Sequence, residues 1–496
     1  MFLKKQSTTN NEPLTKYMST PELNHRLSSL DATFLYLEKK ECPLHIGSTS
    51  VFEGKIPLKD VIKHIEDRLH LIPRYQQKVV PDPFNIAHPT WEFDEDFDIK
   101  NHIFEIKSKK KVTHEDLTRI AGEKMTELMD RNKPLWELFV INNLEGGKAS
   151  LIAKVHHCMV DGISGVDLIK IMFDITPEGT PPPPKPETEP KTPKKDATRA
   201  FFDSLLGSME EGMNRLMEMQ GGMLYIASSL ADPKTAEKLP HMAEVLPAAT
   251  TPAPVLPFNG ECSGERRLAW SEFSFTDARL IKNVLGGTVN DVVLTVLSES
   301  VSRYSKLHGV DINDEIVRFM VPVSLRQKEK RGSLGNLISI LPVEIPLDLE
   351  TLPERFAFVH EKTAMMKETR LAESLLTLGA MYSVIPAPLQ SVIGQLADTP
   401  FPTFNMVATN VPGPQIPLYL VGKKMLKHYP YVPVGYQLGL GCAIFSYNKT
   451  LYFGLSSDAK AMSDVEKFRE ILEETFADLK AVVADLEEKS ASATAK

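Results

Sequence analysis

A chain of 496 residues with a net charge of -8, 42% hydrophobic and 25% charged residues is too long for one ordinary core and has the make-up of a soluble globular protein. The acidic balance leaves no electrostatic footprint for nucleic acid. Four cysteines, Cys42, Cys158, Cys262 and Cys442, stand far apart without CxxC spacing, which argues against a zinc site or disulfide scaffold and fits a reducing cytoplasm.

Residues 1–22 are polar, with positive charge but no apolar run behind it, so a disordered start rather than a secretory signal is expected. SSLDATFLYLE offers serine caps for a helix carrying Leu30, Phe34 and Leu37 at helical spacing. HIGSTSVFEG reads as a strand, and IPLKDVIKHIEDRLHLI as an amphipathic helix with Val61, Ile65, Leu69 and Ile72 on one side. WEFDEDFDIKNHI reads as a loop, and Thr113 with Asp116 forms a capping box for the helix LTRIAGEKMTELMDRN. Beyond Pro134, LWELFVINNL is a strand that turns at Gly146 and Gly147 into a second one ending at His157.

Composition changes after Ile175. TPEGTPPPPKPETEPKTPKKD is a solvated, proline-rich linker. Apolar residues then recur at Phe202, Leu206, Met209, Met213 and Leu216, a methionine-rich helical stripe expected to pack on a domain, with adherence to a membrane or lipid-droplet surface as its other use. A second domain begins near Gly264 with the strand LAWSEFSF, the helix TDARLIKNVL and a long helix from Thr288. Further strands, an amphipathic helix at PERFAFVHEKTAMMKE and a C-terminal helix after Ser463 complete it. The order of elements predicts an α/β (α+β) protein divided into 1–22 (disordered), 23–176 (first lobe), 177–262 (connector), 263–489 (second lobe) and 490–496 (disordered tail). No stretch approaches the roughly 20 apolar residues that span a bilayer.

The chemistry concentrates in ASLIAKVHHCMVDGISG, residues 149–165. His156, His157 and Asp161 resemble a metal set, but consecutive strand residues face opposite ways, so no metal site is expected. Cys158 faces away from His157 if the strand continues, and Ser164 lies in a sequence that fails the GxSxG elbow at Val166, so no covalent nucleophile is assembled. Two uses of the histidine stay open: a hydrogen-bonded core residue, or a general base that accepts a proton from an alcohol as it attacks an activated carbonyl.

The motif HHxxxDG, matched by His156, His157, Asp161 and Gly162, resembles that of the acyltransferase superfamily containing chloramphenicol acetyltransferase and nonribosomal peptide condensation domains. LSSLDATFLYLE, PLWE (Pro134 to Glu137), NDVVL (Asn290 to Leu294), PVSLR (Pro322 to Arg326), Gly335-Asn336 and TNVPGP (Thr409 to Pro414) make the chain similar to the bacterial wax ester synthase/acyl-CoA:diacylglycerol acyltransferase family. The resemblance implies two chloramphenicol-acetyltransferase-like lobes with an active-site tunnel between them; the long, partly helical, methionine-rich connector that joins them here departs from the family pattern. It implies His157 as general base, supported by His156, Asp161 and Gly162, and no acyl-enzyme. Pro134, Leu135 and Trp136 would lie near the substrate entrance, their alternative being a strand start with a buried ring. Asn290 and Asp291 would support the site from the second lobe, although Asp291 also completes a capping box with Thr288. Thr409 or Asn410 would donate to the oxyanion, or simply hold a turn. Arg326, Lys328, Lys330 and Arg331 meet CoA phosphates or form a solvated loop. The implied reaction joins acyl-CoA, a substrate and not a bound cofactor, to a long-chain alcohol or diacylglycerol. It would take place in the cytoplasm or at the periphery of the inner membrane or lipid inclusions. The competing functions are an acyltransferase of the same superfamily with another donor or acceptor, and a non-catalytic lipid-droplet coat. Oligomeric state is left open.

Overall fold

Local hydrogen-bonding chemistry sets the element starts. In a computed structural model describing residues 26–82, 87–159, 171–185, 251–324, 338–368 and 402–494, with single residues 169, 206, 209, 213, 217 and 220, Ser28 caps α1 (Ser29–Leu37) by accepting from Asp31 N–H at 3.1 Å. β1 (His45–Phe52) and α2 (Leu58–Glu66) follow. The acidic-aromatic stretch expected as loop overlaps two strands: β3 (Thr90–Phe93), which pairs with β2 (Gln77–Val80), and β4 (Ile103–Glu105) at its end. The Thr113/Asp116 capping box starts α3 (His114–Thr126), and β5 (Trp136–Ile141) and β6 (Ala149–His156) form the hairpin that leads to the histidines.

The second half supplies β7 (Arg266–Ser274), α4 (Phe275–Leu285), α5 (Val289–Leu307), β8 (Ile316–Ser324), β9 (Ile338–Pro346) and α6 (Leu352–Glu368). β10 (Met406–Pro412), β11 (Tyr419–Leu420), β12 (Lys423–Tyr431), β13 (Leu440–Tyr447), β14 (Thr450–Asp458) and α7 (Val465–Thr494) complete the described chain.

Two six-stranded sheets result, ordered β11-β12-β1-β6-β5-β4 and β7-β14-β13-β10-β8-β9. The first therefore contains two strands from the second half of the chain. β12 lies antiparallel to β1 from Gly47↔Tyr431 to Phe52↔Met425, covering an edge that would otherwise offer unpaired backbone groups. The expected lobe boundaries change accordingly. Residues 419–431 leave the 263–489 lobe for the first sheet, and the end of the expected connector joins the second core through Leu256 and Phe258, both buried. The expected disordered tail is corrected too, because α7 continues through Thr494. The first core interlocks with the second half through Trp270, Tyr429, Tyr447 and Tyr452.

The face of α1 turned to the core is Ala32 and Leu35; Leu30 is exposed, and Phe34 is left at the core margin. The expected packing of the methionine-rich stripe is not found where it is described, since Leu206, Met209 and Met213 are 61%, 64% and 58% exposed. Phe202 and Leu216 lie outside the described residues, as do residues 1–25 and the proline-rich stretch from Glu187 to Asp196. Among the described residues no single helix is long and apolar enough to cross a membrane.

Candidate functional site

β6 reads ASLIAKVH, and its backbone is paired on both sides: His45↔His156 across to β1, and Trp136↔Val155 across to β5. The strand stops at His156, one residue earlier than expected, and His157–Met159 forms a single 3-10 turn. That change of backbone separates the two imidazoles. His156 is wholly buried, whereas His157 is half-buried and stacks on Phe34, with ring centroids 3.9 Å apart and planes at 16°.

His156 is held at both ring nitrogens. Nδ1 accepts from the Cys158 N–H at 3.1 Å, which puts the ring proton on Nε2. Nε2 stands 3.3 Å from Oε1 of Glu38, off the ideal hydrogen-bond line but within reach of the carboxylate charge. Glu38 also accepts from the Leu44 N–H at 3.2 Å and from Arg131 at 3.0 Å, and its Oε1 lies 3.7 Å from Nδ1 of His45. Burial alone would raise the Glu38 pKa; His156, His45 and Arg131 outweigh it and hold the carboxyl at about 2. His45 donates through Nε2 to the carbonyl of Glu127 at 3.0 Å, and burial, aided by the nearby Lys154 charge, pushes its pKa down to about 3. The ammonium of Lys154 is buried, donating to the same Glu127 carbonyl at 2.6 Å and to Glu137 at 3.0 Å; burial lowers its pKa against the pull of Glu137.

The two histidines are held differently. His156 spends both nitrogens on Cys158 and Glu38, while the His157 backbone N–H is anchored on the Leu44 carbonyl at 2.9 Å and its ring lies flat on Phe34. Burial raises the Cys158 thiol well above its ordinary pKa, so it is no thiolate nucleophile. Among the described residues no group of three histidine, cysteine, aspartate or glutamate side chains could hold a metal ion. Asp161, Gly162 and Ser164 lie outside the described residues, as does the basic run Arg326 to Arg331.

The remaining expected residues take distinct places. Pro134 and Leu135 are buried beside the site, and the Leu135 carbonyl accepts from the His156 N–H at 2.9 Å. The Trp136 ring is 1% exposed, stacks on His102 at 4.5 Å and donates to the Tyr75 carbonyl at 2.8 Å, so its described contacts are those of a core residue. Trp136→Ala is expected to cost about 3–5 kcal/mol of unfolding free energy in denaturant titration. A ring that serves only as a substrate wall would instead raise KM and leave the midpoint unmoved.

Asp291 is buried and fully engaged within the second lobe. Oδ2 accepts from Thr288 N–H at 2.8 Å and meets Nδ1 of His360 at 2.9 Å, and Oδ1 accepts from Thr363 at 2.7 Å, tying the start of α5 to α6. Asn290 beside it is half-buried. Gly287 is required here, since a Cβ would come within 2.6 Å of Phe356 and 2.9 Å of Asp291 Oδ2. Thr409 and Asn410 are half-buried on β10, paired with Ala443 and Ile444 of β13. On the other side β10 pairs with β8 only at Met406↔Phe319 and Val407↔Met320, so the described sheet opens beside Thr409.

Glu38 and His45 were missed at the sequence level. The available signal was an acid placed directly after the apolar turn of α1, but its partners come from β1, β6 and the segment before β5.

Comparison with known proteins gives one consistent result. The model of the wax ester synthase/diacylglycerol acyltransferase catalytic domain matches residues 27–293, and that of the WS/DGAT C-terminal domain matches residues 334–480. A probable diacylglycerol O-acyltransferase of Mycobacterium tuberculosis is 28% identical over 469 residues, covering 93% of this chain and 96% of its own. Among solved structures, the wax ester synthase/diacylglycerol acyltransferase from Marinobacter aquaeolei VT8 superposes with a TM-score of 0.62 at 23% identity, over 92% of this chain and 100% of its own. The starter condensation domain of rhizomide synthetase, solved with C8-CoA, shares the two-lobed fold at a TM-score of 0.57 and 11% identity, covering 95% of this chain and 96% of that domain.

Proposed function

Since the chain belongs to the wax ester synthase/diacylglycerol acyltransferase family, we propose that it transfers an acyl group from acyl-CoA to the hydroxyl of a long-chain alcohol or of diacylglycerol, with His157 as general base. The observation that supports the role of His157 is the difference in burial within the histidine pair: His156 is wholly buried between Cys158 N–H and Glu38, whereas His157 is half-buried. In the proposed step the His157 imidazole takes the acceptor's hydroxyl proton as the oxygen attacks the thioester carbonyl. The tetrahedral oxyanion collapses, the C–S bond breaks, and the CoA sulfur leaves with the proton carried by the imidazolium. No acyl-enzyme, metal or bound cofactor takes part.

Asp161 and Gly162, which complete the motif, are assigned a supporting role for the histidines. Pro134, Leu135 and Trp136 back the histidine stretch from the core side; Asn290 and Asp291 support the site from the second lobe. Either Thr409 or Asn410, on the strand where the ladder opens, is the proposed oxyanion donor. Supplying palmitoyl-CoA with hexadecanol or dioleoylglycerol and resolving the neutral lipids tests the reaction. Product with neither alcohol, but with an amine or a carrier-protein thioester, would move the chain to another branch of the superfamily.

The cytoplasm, at the periphery of a membrane or lipid inclusion, is the proposed place of action, because Leu206, Met209, Met213 and Met217 present an apolar stripe that is at least half exposed. Deleting residues 200–230 is expected to reduce flotation of the protein with lipid droplets several-fold while leaving the histidine cluster intact. Unchanged partition removes that role from the stripe.

A further inference from the structure

Residues 37–44 hold both histidines, through Glu38 on His156 and through the Leu44 carbonyl on the His157 N–H. The second lobe covers this segment. Tyr436, in the loop between β12 and β13, donates from its hydroxyl to the Leu37 carbonyl at 2.7 Å, and the Lys39 ammonium sits 4.6 Å above its ring. Gly435 and Gly264 lie directly against Cys42 and the Lys40 carbonyl, where a Cβ would overlap them. The loop is folded on itself by mutual hydrogen bonds between Gly435 and Leu438 at 3.0 and 2.9 Å. It is braced from behind by Arg266, which donates to the Val434 carbonyl at 2.6 Å and to Asp458 at 2.9 Å, with both side chains wholly buried.

Tyr436 has φ +57°, a left-handed backbone that glycine takes freely and a bulky L residue rarely adopts. An outlier of this kind persists only where its surroundings over-determine it, and here what is held is a side chain reaching the other lobe. We propose that Tyr436 is a positioning residue: it fastens the segment from Leu37 to Leu44 across the lobe boundary and thereby sets the orientation of Glu38 and of the two histidines. The proposal rests on His157 acting as the base. Its effect is on turnover and not on substrate binding, because the described contacts of Tyr436 are with the segment that supports the histidines.

The test uses the full chain with Tyr436→Phe and Tyr436→Gly, assayed with palmitoyl-CoA and hexadecanol or dioleoylglycerol, with thermal unfolding followed in parallel. The phenylalanine variant is expected to lose about tenfold in kcat with both KM values within about twofold, the signature of misplaced catalytic geometry. The glycine variant, freed of the left-handed strain, is expected to unfold at the same or a higher temperature and still lose at least as much kcat. Nitrogen-15 histidine spectra of the phenylalanine variant should show shifted imidazole resonances for His156 and His157. The proposal is overturned by unchanged kcat together with unchanged imidazole resonances, or by a loss of kcat that only follows loss of folded protein. Turnover in His157→Ala would instead remove the base assignment, while an inactive His157→Ala beside a normal Tyr436→Phe removes the clamp alone.

Discussion

His157→Ala is expected to lower CoA release from acyl-CoA by at least about 100-fold, within the range that general-base catalysis commonly supplies. The variant should fold normally, since the lost ring is half-buried and its principal described ring contact is the stack on Phe34. The His157 N–H bond to the Leu44 carbonyl is a backbone bond and survives the substitution. Stopped-flow or end-point thiol detection of CoA measures the loss, and circular dichroism with a thermal melt controls for folding. Near-native turnover in a folded variant would return His157 to the class of satisfied core histidines. His156→Ala makes a different kind of change, because it leaves the Glu38 carboxylate and the Cys158 N–H without their buried partner. A fall in both stability and turnover is the mark of that residue.

Much of this site was legible because it is written locally. The capping boxes at Thr113/Asp116 and Thr288/Asp291 are four-residue patterns and form as read. Strand alternation argued that His156 and His157 cannot share one ion; the strand in fact ends at His156, and it is the 3-10 turn after it that gives His157 a different environment. What the residues did not disclose is long-range. The pairing of β12 with β1 joins segments from opposite halves of the chain, and no periodicity in KKMLKHYPY names its partner. The same holds for α1, whose spacing of Leu30, Phe34 and Leu37 resembles a core face. Only the packed structure turns Ala32 and Leu35 inward and leaves Phe34 for the His157 ring. Trp136 illustrates the converse: its chain-local context fits a substrate wall as well as a core, and the Tyr75 carbonyl and His102 ring that engage it come from elsewhere in the fold.

Glu38→Gln is expected to be the most damaging conservative change outside the histidine pair. The glutamine keeps the volume, and one oxygen can still accept from the Leu44 N–H and face His156 Nε2, but the charge that Arg131, His156 and His45 share is gone. Loss of one partner's charge in a buried ion-paired cluster is worth about 3–5 kcal/mol at its upper end, and a charge-assisted hydrogen bond about 1.5–3 kcal/mol, so a loss of about 2–3 kcal/mol is expected near neutral pH. The sign of the pH dependence follows from the lowered pKa. Glu38 ionises at about 2 in the folded protein against an ordinary 4.5, so its contribution is fully present above 4.5 and disappears as pH falls toward 2. Unfolding free energies of the native chain and of Glu38→Gln should therefore differ most above about pH 5 and converge in acid. Turnover should fall about 10- to 100-fold, because a neutral amide holds the His156 ring less firmly, and that ring in turn orients the Cys158 N–H and the turn that carries His157. A Glu38→Gln protein with native turnover and a pH-independent stability deficit would show that the carboxylate is not what orders the histidines; Glu38→Asp, shorter by one methylene but charged, should recover the pH dependence while recovering only part of the rate.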